Sequence, residues 1–193
     1  MFRETINALA ACLVTFALCS VAYPLAVWGV AWLAFPEQAG GSLIERDGKV
    51  IGSESIAQPF TSDKYIHPRP SAVDYRADAA GGSNLGTKNP ALREKIIERV
   101  KALGATAENP APTDLVTASG GGLDPDLSPE GALYQASRVA RARRVPVERV
   151  RALIERQTNQ SGTIIGAPPR VNVLRLNLAL DAEVPEPDPR IRP

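Results

Sequence analysis

The chain has 193 residues, 22 Lys and Arg against 21 Asp and Glu, one His and two Cys. A net charge of +1 gives no global field to gather nucleic acid, and one His with two Cys falls short of the four ligands of a conventional structural zinc or iron–sulfur site. Charged residues at 22 % beside 44 % apolar ones make a globular composition.

No side chain from Thr5 to Pro36 is charged. About 27 apolar residues at ~1.5 Å each give roughly 40 Å of helix, enough to cross a ~30 Å hydrocarbon core with some tilt. Residues 1–36 are therefore read as one N-terminal transmembrane anchor. Ser20-Val21-Ala22 offers a leader-type cleavage site, but a cleavable leader has a shorter apolar core of ~7–15 residues. Trp28, Trp32 and Phe35 form an interfacial aromatic belt, and Pro24 is placed to kink the helix. Arg3 at one end and Arg46 with Lys49 beyond the other nearly balance. A very short polar N-terminus before a long apolar run favours translocation of the C-terminal body, which is therefore placed on the extracytoplasmic side.

Residues 37–182 are read as one soluble α+β domain with a small sheet and about three helices, and 183–193, EVPEPDPRIRP, as a disordered Pro-rich tail. Asp47-Gly48 between Ser42–Arg46 and Lys49–Ile51 predicts a tight hairpin. Gln58 to Tyr75, with three Pro and the sole His, His67, predicts an irregular loop packed by its rings. Asn89 as N-cap, Pro90 at the first helical position and Gly104 after Leu103 bound a helix whose buried face is Leu92, Ile96, Val100 and Leu103. Asp114 to Ser119 predicts a short strand entering Gly120-Gly121-Gly122. Ser128 caps a second helix to about Arg144 with Leu133, Ala136, Val139 and Ala140 as its stripe, and a third runs from near Pro146 through Val150, Leu153 and Ile154. Leucines at 174, 176, 178 and 180 alternate with polar or small residues, so Val171 to Leu180 predicts a strand whose phase slips between Val173 and Leu174.

Gly81 to Lys88 lacks the G-K-[ST] ending of a phosphate loop and reads as turns before a capped helix. Ser119, His67 and an Asp could make a hydrolase triad on paper, but no G-x-S-x-G elbow is present. Arg138, Arg141, Arg143, Arg144, Arg149 and Arg151 read as a solvated basic surface, or as a contact for anionic lipid, an acidic partner or a phosphate.

Taken in order, Asp47–Ser53, Gln58-Pro59-Phe60, Tyr65 to Ala72, Gly82–Gly86, Asn89–Leu92, Asp114–Pro125, Ser128-Pro129, Arg138–Arg143 and Pro169 to Asp181 resemble the C subunit of the bacterial Kdp potassium-transporting P-type ATPase. Ala57, Gly121 and Asp126 depart from that family's usual residues. The resemblance implies a non-catalytic accessory subunit of an ATP-driven potassium uptake complex in the inner membrane. Its implied partners are a channel-like potassium-translocating subunit, a P-type ATPase subunit and a small single-helix subunit. No cofactor is bound firmly by the chain itself. The family is also described as a catalytic chaperone that raises ATP affinity in the ATPase subunit, which makes Ser119, Gly120, Gly121, Gly122, Leu123 and Gln135 the matching nucleotide contacts. A soluble domain outside the cell conflicts with that role, so assembly of the complex is preferred. Asp124 and Asp126 are then candidates for biasing cation approach to the channel-like subunit. The alternatives are a membrane-tethered extracytoplasmic binding module and a tethered hydrolase.

Overall fold

A computed structural model describes residues 2–184, and residues 185–193 of the expected tail lie outside it. The chain separates into two compact units, divided between Ile51 and Gly52.

In the first unit, α1 (Phe2–Phe16), a π-helical segment (Ala17–Ala22) and α2 (Tyr23–Ala34) form one continuous helix of 33 residues. It is long and apolar enough to cross a membrane. The π segment ends two residues before Pro24, and the Tyr23 N–H donates to Leu18 O, five residues back. Proline has no N–H and its ring crowds the carbonyl four residues earlier, so widening the preceding turn accommodates it. One helical turn, α3 (Pro36–Ala39), leads into the hairpin of β1 (Leu43–Arg46) and β2 (Lys49–Ser53), whose last two residues are counted with the second unit. Asp47 and Gly48 both take positive φ, 53° and 72°, as a two-residue hairpin turn demands.

The second unit is α+β. Its elements are α4 (Pro90–Ala102), the single turn α5 (Thr113–Val116), β3 (Asp126–Leu127), α6 (Pro129–Arg143), α7 (Val147–Gln157), β4 (Thr158–Asn159), β5 (Arg170–Asn172) and α8 (Val173–Glu183). The strands form a small antiparallel sheet in the order β3-β5-β4, with Leu127 and Thr158 both opposite Val171. Ala136, Val139 and Ala140 of α6, Val150, Leu153 and Ile154 of α7, and Leu176 and Leu180 of α8 pack with Leu127, Val171 and Ile66 into one core.

The caps act as the sequence predicts. The Asn89 side chain accepts from the Ala91 N–H, the Ser128 hydroxyl accepts from the Gly131 N–H, and Gly104 takes φ 62° after α4. The expected inner face of α4 is only half-buried.

Two expected strands are helices. Asp114 to Ser119 begins with α5, where the Thr117 N–H and hydroxyl both bond to Thr113 O. Of the expected Val171–Leu180 strand, only its start is extended, and the phase slip between Val173 and Leu174 marks the change from strand to helix. Asn172 makes that change: opposite Asp126 in the sheet, it uses its side-chain carbonyl to accept from the Arg175 N–H and so caps α8. Val173, Leu176, Asn177 and Leu180 are buried at helical spacing. Glu183 belongs to α8 and Val184 to the core, so order extends past the expected boundary at 182.

Candidate functional site

The candidate residues fall in two places. Ser119 to Leu123 form a loop between α5 and β3 that is stitched to three other segments. The Ser119 N–H donates to Pro70 O, Leu123 O accepts from the Ala57 N–H, and the Gly81 N–H donates to Gly121 O at 2.9 Å. The two glycine-rich stretches, about forty residues apart in sequence, thus lie against each other. A Cβ at Gly82 would sit 2.6 Å from Gly120 O, and one at Gly122, whose φ is +72°, would sit 2.5 Å from the Val73 side chain. Glycine is required at both positions by close approach. Ser119 is 3 % exposed, whereas Gly120 and Gly121 form an exposed tip.

Gln135 lies in the middle of α6 and is 3 % exposed. Its Oε1 accepts from the His67 N–H at 2.9 Å and from Arg138 Nη2 at 2.7 Å, and its Nε2 donates to His67 O at 3.0 Å. Gln135 lines a cleft of about 190 Å³ together with His67, Arg99, Leu103, Leu115 and Arg138, and none of residues 119–123 lines that cleft. The structure therefore does not bring the two parts of the candidate nucleotide set together in one pocket.

His67 is half-buried. Its Nε2 lies 3.1 Å from Ser62 O, and burial, followed by the Arg138 charge, pushes the imidazole below its ordinary value. Among the described residues no hydrogen bond joins it to Ser119, so the base and nucleophile of the triad sketched from sequence are not coupled. Asp124 pairs with Arg69 at 2.9 Å and Asp126 with Arg170 at 3.2 Å. Burial pushes the Asp126 carboxyl up, and Asn172 also donates to it. Both acids are thus engaged by local cations, which weakens any attraction for a passing ion.

The arginine cluster is not uniformly solvated. Arg143, 2 % exposed, pairs with Asp181 at 2.9 Å, donates to the carbonyls of Lys64, Leu180 and Val184, and stacks over the Tyr65 ring. Arg138 donates to the carbonyls of Asp63 and Tyr65. Sequence reasoning missed these as structural groups. The signal that points to them is spacing, since position 143 continues the stripe of 132, 136, 139 and 140.

The chain matches the family model described as K+-transporting ATPase, c chain, over residues 5–182. A potassium-transporting ATPase KdpC subunit of Rhodopseudomonas palustris is 50 % identical, the alignment covering 96 % of this chain and 100 % of the relative. That of Bradyrhizobium diazoefficiens is 49 % identical over 94 % and 98 % of the two chains, and that of Polaromonas naphthalenivorans 52 % over 87 % and 89 %. A match that runs from inside the apolar helix to the end of α8, with about half the residues identical, leaves one assignment: the chain belongs to the KdpC family of K+-transporting ATPase c chains.

Proposed function

We propose that the chain is a non-catalytic subunit of an ATP-driven potassium uptake complex, held in the bacterial inner membrane by its single apolar helix, and that it assembles and stabilises the complex from the extracytoplasmic side. Its partners in this reading are the channel-like potassium-translocating subunit, the P-type ATPase subunit and the small single-helix subunit. The observation that carries it is the family match across anchor and soluble unit together. One helix cannot enclose a pore, and the buried polar groups of Gln135 and Arg143, with Arg138, are engaged in holding the loops around them, which supports a role in binding proteins rather than in chemistry.

The test has two parts. Ser161 is exposed, and in a background without Cys12 and Cys19 a Ser161→Cys variant should react with a membrane-impermeant maleimide in intact spheroplasts. Labelling only after lysis would overturn the sidedness. Extraction in mild detergent should bring out two large polytopic proteins with the chain, whereas a monodisperse single chain would leave the tethered binding module instead.

A second reading, in which the chain raises the ATPase subunit's affinity for ATP through Ser119–Leu123 and Gln135, draws on the exposed Gly120-Gly121 tip. The engagement of both ends of the Gln135 amide by His67 argues against a nucleotide contact by that side chain.

A further inference from the structure

We propose that residues 83–111, which carry α4, form a strap that opens as one piece while the core of the soluble unit stays folded, with the Arg99 guanidinium on Val116 O as its latch. None of residues 69–114 is buried, but this run is not held alike along its length. Up to Gly82 it is stitched down: Val73 lies against Gly122, the Gly81 N–H donates to Gly121 O, and Gly82 lies against Gly120. From Ser83 to Ala111 the backbone bonds are local, as in Asn89 N–H to Gly86 O and Thr106 N–H to Asn109 O. Among the described residues one hydrogen bond crosses from this segment to the rest of the unit, from Arg99 Nη1 to Val116 O at 2.9 Å, and no ion pair does.

Apolar anchoring is equally thin. Leu92, Ile96 and Val100 are half-buried, Ile97 is 42 % exposed, and Leu103 alone of the segment packs against the main core. The chief neighbour of α4 is the single turn α5. Buried apolar area sets how firmly a segment is held, and one with little of it opens at a lower free energy than the core. With 13 residues, α4 has a length at which an isolated helix is marginal in water, so it unwinds once it detaches, and its own amides report the opening. Opening frees the Val116 carbonyl and uncovers the face of α5 on which α4 rests. The strap thereby governs access to Leu115 and Gln135 in the cleft that Arg99 and Leu103 also line. The open form is a small fraction of the population, visible to hydrogen exchange and not to bulk unfolding. Opening requires neither a partner subunit nor the membrane helix.

Hydrogen exchange of the isotope-labelled full-length chain in a non-ionic detergent, followed amide by amide by NMR, is the test. The amides of Glu94 to Ala102 should share one protection factor, at least about a hundredfold below that of the α6 and α7 amides, and it should fall with denaturant less steeply than theirs. Ile154 of α7 is fully buried in the core, and Ile154→Val should lower protection in α6 and α7 about threefold to tenfold. It should leave α4 unchanged, because the core stays folded while the strap opens. Arg99→Met keeps the stem and the helix propensity but removes the latch, and should lower α4 protection about tenfold, with α6 and α7 following by no more than that factor. Ile154→Val decides the matter if Arg99→Met does not fold. Protection of α4 equal to that of α6 and α7, an Ile154→Val loss that reaches α4 in full, α4 amides that exchange one by one without dependence on denaturant, or unchanged α4 protection in folded Arg99→Met would each overturn the proposal.

Discussion

Two buried amides share one task. Gln135 of α6 bonds both the N–H and the C=O of His67, at 2.9 and 3.0 Å, and Asn177 of α8 does the same to Ile66, at 2.8 and 2.9 Å. Buried backbone groups must be paired, and this segment, followed by Pro68 and Pro70, has no strand beside it. Side chains from two helices therefore replace the missing ladder. The consequence separates the two functional readings at a single residue. In Gln135→Leu the His67 N–H and C=O lose their partner, which costs about 2–4 kcal/mol, and the melting temperature should fall by at least about 5 °C without any ligand. Differential scanning fluorimetry of the detergent-solubilised chain checks this. An unchanged melting temperature together with a raised ATP half-saturation in the assembled pump would instead make Gln135 a nucleotide contact.

At the scale of elements, the C-terminal segment is the informative case. In a strand, Asn177 and Leu178 would face opposite sides, with the leucines of 174 to 180 inward and Asn177 outward. In α8 the order is reversed, because Asn177 is 2 % exposed and bonded to Ile66 while Leu178 is only half-buried. Asn177→Leu should therefore cost about 2–4 kcal/mol, by leaving the Ile66 backbone unpaired, and Leu178→Ser about 1 kcal/mol or less. Denaturant unfolding followed at 222 nm measures both, and the opposite ranking would restore the strand. The misreading has a physical origin. Alternating leucines fit a half-buried strand and a two-sided helix equally well, and the deciding contact, Asn177 to Ile66, spans 111 residues. The hairpin, α4, α6 and α7 were legible because their signals lie within a few residues: Asp47-Gly48, Asn89-Pro90, Ser128-Pro129 and the 150, 153, 154 stripe. The candidate site was legible only as composition. Neither the packing of Gly81-Gly82 on Gly120 to Gly122 nor the Arg143–Asp181 pair, 38 residues apart, leaves a local pattern.

For the whole molecule, the distribution of apolar residues sets apart what folds from what anchors. The core draws on Ile66 to Val184 and, among the described residues, on nothing before Gly52. The apolar side chains of the first unit are exposed instead, among them Leu13, Phe16, Leu25, Trp28 and Leu33, a surface stable in lipid but not in water. Folding of the second unit should then be independent of the anchor, and attachment to the complex should not be. A fragment beginning at Gly52 is expected to be soluble without detergent and to unfold in one cooperative transition by circular dichroism at 222 nm. Supplied in place of the full chain, it should fail to co-extract with the potassium-translocating and ATPase subunits proposed as its partners, since membrane helices associate through close packing that the fragment lacks. A fragment that never folds would show that residues 2–51 complete the core. One that folds and still co-extracts would move the binding determinants wholly into the soluble unit, leaving the anchor to raise local concentration, a contribution that a generic membrane helix could then supply.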